Sequence, residues 1–191
     1  MKKSLLTFIL AAAMVVPVFA EKGDISINAK LGLGVNSNFN FDYTEDFSQY
    51  NTDIPFMLGA EFFYGLIDNL SVGVGVNYVF DTAAKMDSEV KFGTTNLYVA
   101  VKPEVKLESD IFTSIYLIGQ LGLSMVRYEN YGETPSVDNG LYLGAGFGTM
   151  IKDMAFVELI FSSAKGGVSD YYDINLQYNV TSVNVGYKFN I

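Results

Sequence analysis

From residue 24 to its end the chain keeps returning to stretches in which apolar residues alternate with small or polar ones, and that period of two confines it to strands. Ile25, Ile27, Ala29, Leu31, Leu33 and Val35 alternate with Ser26, Asn28, Lys30, Gly32 and Gly34. A helix would scatter these residues around its circumference. The pattern returns at Leu70, Val72, Val74, Val76, Tyr78 and Phe80, and again at Val183, Val185, Tyr187, Phe189 and Ile191. Each such strand has one face made for an apolar medium, either a packed core or lipid.

The N-terminus decides where the chain works. Lys2 and Lys3 precede an uncharged run from Leu5 to Val18, which ends in Val18, Phe19 and Ala20 before Glu21. This is the layout of a secretory signal peptide, expected to be cleaved after residue 20 and to leave 21–191 as a single domain. A membrane-anchoring helix needs roughly 20 apolar residues, and the run is shorter. Losing a leader with two lysines and no acid takes the formal charge from −9 to −11. The chain has no cysteine, so a lipid anchor on a leading cysteine is excluded. Half the residues are nonetheless hydrophobic and 17% are charged. An exported, apolar chain without a later spanning helix is expected to be all-β, an antiparallel up-and-down transmembrane β-barrel, because closure satisfies every backbone hydrogen bond in lipid.

Eight strands are predicted, over residues 24–35, 54–66, 70–80, 94–106, 111–126, 140–150, 155–164 and 173–191. Connectors at 67–69, 107–110 and 151–153 are short, and those at 36–53, 81–93, 127–139 and 164–170 are longer. Strict alternation of the two classes fits external loops at one end and tight periplasmic turns at the other. In the last strand Ile174, Leu176, Tyr178 and Val180 occupy even positions, whereas Val183, Val185, Tyr187 and Phe189 are odd. Either a β-bulge near Val180 or Thr181 reconciles them, or residues 173–180 belong to the last loop.

The apolar parity (Phe56, Leu58, Ala60, Phe62 and Tyr64 on the second strand; Leu97, Val99 and Val101 on the fourth) holds no charged residue at membrane depth. A lipid-facing Lys or Arg at the midplane would cost about 2–4 kcal/mol. Phe112, Tyr64, Phe80, Tyr128, Tyr187 and Phe189, near strand ends, suit interfacial girdles. The rival is a soluble barrel of the lipocalin type with its apolar parity inward. Its outer face should carry long charged side chains, but here the polar parity is mostly Gly, Ser, Asn and Tyr. In a narrow lumen those small residues leave room for Phe63, Tyr98, Tyr116 and Tyr142.

The inward parity also holds Lys30, Glu61, Lys102, Glu104, Glu158 and Lys188. Lys30 with Glu61, and Glu158 with Lys188, lie on adjacent strands, and opposite charges in a narrow lumen should pair. Such a lumenal network reads either as a polar plug that fixes strand register or as a gated ion path. Acids punctuate the longer connectors, among them Asp42, Glu45, Asp46, Asp53, Asp87, Glu89 and Glu133, without the spacing of a calcium loop, so no metal site is expected. Their sign disfavours nucleic acid. The first connector interleaves Phe39, Phe41, Tyr43, Phe47 and Tyr50, either a contact surface for a host or phage protein or a loop packed on itself. The chain has neither histidine nor cysteine, no spacing that assembles a serine triad, and no phosphate-binding glycine loop. No catalysis and no cofactor are expected.

The chain ends Asn184, Val185, Gly186, Tyr187, Lys188, Phe189, Asn190, Ile191. With the strand rhythm, this resembles the small eight-stranded outer-membrane barrels of the OmpA/OmpX and opacity-protein kind, over essentially all of the mature length. Gly186, Tyr187, Phe189 and Ile191 look like the C-terminal signal read by the barrel-assembly machinery, although the family's last residue is usually aromatic. The resemblance implies a bacterial outer-membrane protein, delivered by periplasmic chaperones and surrounded by lipid and lipopolysaccharide. Roles in the family run from structure and adhesion to limited solute passage. A non-enzymatic structural or surface-interaction role, adhesin-like and through acidic, aromatic loops, is therefore expected first, with a host or surface ligand as partner. A narrow porin-like channel for ions or small solutes is the alternative.

Overall fold

A computed structural model describes residues 22–42, 47–135, 137–168 and 174–191. The predicted leader, residues 1–20, lies outside them, as do Tyr43, Glu45 and Asp46 of the first connector. The strands are β1 (Ile25–Asp42), β2 (Phe47–Asn51), β3 (Phe56–Ile67), β4 (Leu70–Ala84), β5 (Asp87–Lys106), β6 (Phe112–Asn130), β7 (Val137–Ile151), β8 (Ala155–Val168) and β9 (Ile174–Asn190). From β3 to β9 each pairs antiparallel with the next, and β1 pairs with both β3 and β9, closing a ring of eight. β2 adds no ninth stave. It sits above β3 on the same edge of β1, which pairs with β3 over Ile25–Leu33 and with β2 over Asn38–Asp42.

Inward and outward positions alternate in the lower half of every strand of the ring as the period of two dictates. Leu31, Leu58, Val74, Val99, Leu121, Phe147, Phe161 and Val185 all point out of the ring and are exposed. On β1 this apolar run spans Ile27 to Val35, matching the roughly 9–11 residues a tilted strand needs to cross a bilayer. The strands then continue upward where connectors were expected. Only Lys85 and Met86 join β4 to β5, so the predicted connector at 81–93 is a tight hairpin carried on extended strands. Sequence alternation persists into this region, but its apolar members change sides.

β1 carries an extra residue between Gly34 and Asn36, opposite Ser182 and Thr181 of β9. The bulge switches β1's inward positions from even (Ser26, Asn28, Lys30) to odd (Ser37, Phe39). β9 itself is regular against β8: Leu176, Tyr178 and Val180 face inward on the same parity as Ser182 and Asn184. The bulge expected near Val180 or Thr181 thus lies across the ladder in β1, and residues 174–180 are strand. Irregularities at a similar height in β4, between Val79 and Thr82, and in β7, between Asn139 and Tyr142, do the same.

What changes on β9 is chemistry, not parity. Below this level the wall is apolar outside and mixed inside, where Lys30, Glu61, Ser124 and Asn184 lie among Phe63, Ile118 and Phe156; above it Asn36, Thr95, Arg127 and Thr181 take over the outer face, and Phe39, Val79, Phe92, Val126, Leu176 and Tyr178 fill the interior. The upper storey is built like a water-soluble barrel and the lower like a membrane one.

Candidate functional site in the barrel lumen

Lys30 reaches across from β1, where its register partner on β3 is Gly59. A Cβ at Gly59 would crowd the Lys30 stem, at 2.9 Å from Cε, so glycine there gives the stem its lane. The Lys30 Nζ donates to Glu61 Oε1 at 2.7 Å and to Glu158 Oε2 at 3.4 Å. Glu61 Oε1 also accepts from the Tyr98 hydroxyl at 2.8 Å and from Gln120 Nε2 at 3.1 Å. Tyr98 lies flat over Gly75, where any side chain would strike its ring. The Tyr142 hydroxyl donates to Gln120 Oε1 at 2.9 Å, and Tyr116 donates to Glu158 Oε1 at 3.0 Å. Five strands of the ring (β1, β3, β5, β6, β8) and Tyr142 of β7 therefore meet in one cross-lumen knot, whose Lys30, Glu61 and Glu158 are almost wholly buried.

The other charged positions are placed differently. Glu158 does not pair with Lys188. Its partner on β9 is Asn184, so Lys188 sits four residues lower, about 13 Å along the strand. Among the described residues Lys188 makes no ion pair, and neither does Glu104. Lys102 is buried, also without an ion pair among the described residues, and its Nζ lies 4.6 Å from the Phe63 ring centre and 5.1 Å from that of Tyr116. On β9, Gly186 is packed under the Phe156 ring, while Tyr187, Phe189 and Ile191 point away from the lumen, with Tyr187 and Phe189 rings 4.7 Å apart.

Above the knot a second barrier closes the mouth. Phe39 and Phe92 stack at 3.7 Å between ring centres, Tyr128 stacks on Phe92 at 5.3 Å, and Phe41 meets Tyr50 edge-on at 5.7 Å. Phe39 and Phe41 are therefore not displayed to a partner, and Tyr128 is no girdle residue, because the β1 bulge and the even parity of β6 turn them inward. The linear pattern marks this inversion only as a parity change of the apolar residues, on β9 and likewise on β5 (Val90 and Phe92 against Leu97 and Val99) and β6 (Val126 and Tyr128 against Leu121 and Leu123). The girdle at this height is Phe56, Tyr78 and Phe80, with the Arg127 guanidinium 4.3 Å above Tyr78.

The outermost charges tie hairpins together. Tyr131 donates to Asp87 Oδ2 at 2.5 Å and the Glu89 N–H to Asp87 Oδ1 at 3.0 Å, and these two donors hold the Asp87 carboxyl below its ordinary range. Lys91 lies 3.0 Å from Glu129, whose hydrogen bond and charge raise its ammonium above the ordinary value. Among the described residues no three His, Cys, Asp or Glu side chains converge to hold a metal.

A family profile described as the outer membrane protein beta-barrel domain matches residues 6–189. Among solved structures, neisserial surface protein A (NspA) is similar at 12% identity and a TM-score of 0.53, over 86% of this chain and 97% of that one. The attachment invasion locus protein Ail of Yersinia pestis aligns at 14% identity and a TM-score of 0.48, over 88% and 99%. OprG of Pseudomonas aeruginosa aligns at 14% and 0.49, over 90% and 98%. No curated protein sequence matches the chain.

Proposed function

As the chain belongs to the outer-membrane β-barrel domain family and resides in the bacterial outer membrane, we propose that it is a non-enzymatic wall protein that presents a rigid surface above the membrane rather than a conduit through it. The observation that carries this reading is the double closure of the lumen. The Lys30–Glu61–Glu158 knot blocks it at membrane depth, and the Phe39–Phe92 stack blocks it again at the mouth. An ion would have to break a buried pair and then part an aromatic stack. What projects outward is a sheet-walled tower ending in hairpins, the shape of an interaction module. Its partner is a surface or host molecule, in the manner of an adhesin.

In the same reading residues 1–20 are removed on export and 21–191 form the mature barrel. Gly186, Tyr187, Phe189 and Ile191 are the assembly signal, since Tyr187 and Phe189 stand outward on the strand that closes against β1. The six lumenal charges serve register and plugging. Planar-bilayer recording of the folded protein, beside binding assays on cells displaying it, tests the proposal. Electrical silence with binding that is lost on shortening the β4–β5 and β6–β7 hairpin tips is the expected result. Discrete current steps in the unsubstituted protein would instead establish the channel reading.

A further inference from the structure

Above the lipid belt the outer wall has two chemically different sides. Over β4, β5 and β6 it is ionic: Arg127 pairs with Asp81 at 3.0 Å, and Lys91 with Glu129. Over β8, β9, β1 and β2 it is built from amides and hydroxyls held in register. One row crosses the four strands as Ser163, Asn179, Asn38 and Asn51. The row above it reads Lys165, Gln177, Asn40 and Gln49. Their side chains are tied into a tape, with Gln177 Nε2 donating to Ser163 Oγ at 3.0 Å and to Asn179 Oδ1 at 2.9 Å, and Asn179 Nδ2 to Asn38 Oδ1 at 3.1 Å. Directly below, Thr181 and Asn36 join the tape to Phe161 and to the apolar belt.

The sheet spaces these groups about 4.8 Å apart between strands and about 6.7 Å along them, a flat grid fixed by the barrel. Gln177 spends its two amide hydrogens within the tape, while the exposed amides of Gln49 and Asn51 offer both a donor and an acceptor. That dual character matches a polyhydroxyl ligand, whose groups also donate and accept. Amides shed water at far less cost than ions do, so this face can dry against a neutral partner. A phosphate would be drawn instead to guanidinium and ammonium groups, and the two rows contain a single cation, Lys165. Height sets the source: the lower row stands four residues of β9 above exposed Val183, about 13 Å along the strand and so past the headgroup layer, at the level of a glycolipid's core sugars rather than of its acylated disaccharide. We propose that this amide face binds the neutral sugars of the glycolipid that surrounds the barrel. The inference rests on the outer-membrane location and stands independently of the surface-binding role.

The test folds the barrel into nanodiscs of three kinds, containing lipopolysaccharide with its full core oligosaccharide, lipid A without core sugars, or phospholipid alone. Side-chain amide signals of Asn38, Asn51, Gln177 and Asn179 are followed by NMR, and glycolipid retained per barrel after detergent extraction is weighed by mass spectrometry. The signals are expected to shift with the full core and not in the other two discs. The double substitution Asn38→Ala, Gln177→Ala should lower retention about tenfold, and Lys91→Gln with Glu129→Gln should leave it unchanged. Equal shifts with lipid A alone, no shifts at all, or retention lost only in the Lys91, Glu129 variant would each overturn the proposal. Should the amide variant fail to show the heat-dependent gel shift of a folded barrel, the three-disc comparison of the unsubstituted protein decides.

Discussion

Lys30 and Lys102 are buried ammonium groups in one lumen, yet their surroundings predict opposite responses to removal. Lys30 is bonded to two carboxylates, and Lys30→Met would strand Glu61 and Glu158 without a counter-ion, at a cost of about 3–5 kcal/mol. Lys102 rests on the Phe63 and Tyr116 rings and has no ion pair among the described residues, so Lys102→Met removes a desolvated charge and keeps the packing. It should be neutral or stabilising. Urea titration of the fraction that migrates as the compact unheated band distinguishes the two; equal destabilisation by both would show that ring faces hold Lys102 as firmly as carboxylates hold Lys30. The proximity of Lys30 to Glu61 was legible in the sequence, because consecutive staves of an up-and-down barrel are neighbours and bring inward-facing residues within a diagonal step. The partner of Glu158 was not. Parity says which side chains face inward, but only the register, Glu158 opposite Asn184, says how high each stands.

At the scale of the element, the bulge that one of the two sequence readings placed in β9 lies in β1. The odd and even apolar sets of β9 look like a slipped strand only if the interior is polar throughout; once the upper interior is apolar, one unbroken parity accounts for both. Nothing local distinguishes these cases, since a strand reports its own alternation and not the medium on each side. The bulge must therefore hold Phe39 in its place. Phe39→Ala, which empties a site fully shielded from solvent, is expected to cost about 3–5 kcal/mol in the same urea titration. A change below about 1 kcal/mol would mean that the upper storey contributes little to the stability of the whole. The hairpin tips carry a separate signature. Because the folded Asp87 carboxyl is held below its ordinary range, its contact with Tyr131 is intact at neutral pH, persists through the usual carboxylate range and opens only as pH falls through the depressed value. An NMR titration of Asp87 with its midpoint at or above about 3.9 would refute that contact in solution.

For the whole molecule, the inversion of inside and outside along one continuous wall has a consequence for permeability. Two barriers of unlike chemistry lie in series, an ionic knot where lipid surrounds the wall and an aromatic stack where water does. Resistance in series is governed by the tighter barrier, so opening one leaves the pore shut. The double substitution Phe39→Ala, Phe92→Ala clears only the mouth and is expected to remain silent in planar bilayers, because Lys30, Glu61, Tyr98 and Gln120 still span the lumen beneath it. Adding Glu61→Ala and Tyr98→Ala removes the acceptor and the ring that fill the lower section, and brief, small conductance events should then appear. Current through the mouth variant alone would place the limiting barrier in the aromatic stack and reduce the ionic knot to a structural tie. Silence of the fourfold variant, with its folded gel shift intact, would show that the small residues and tyrosines of the narrow ring close the path without either device.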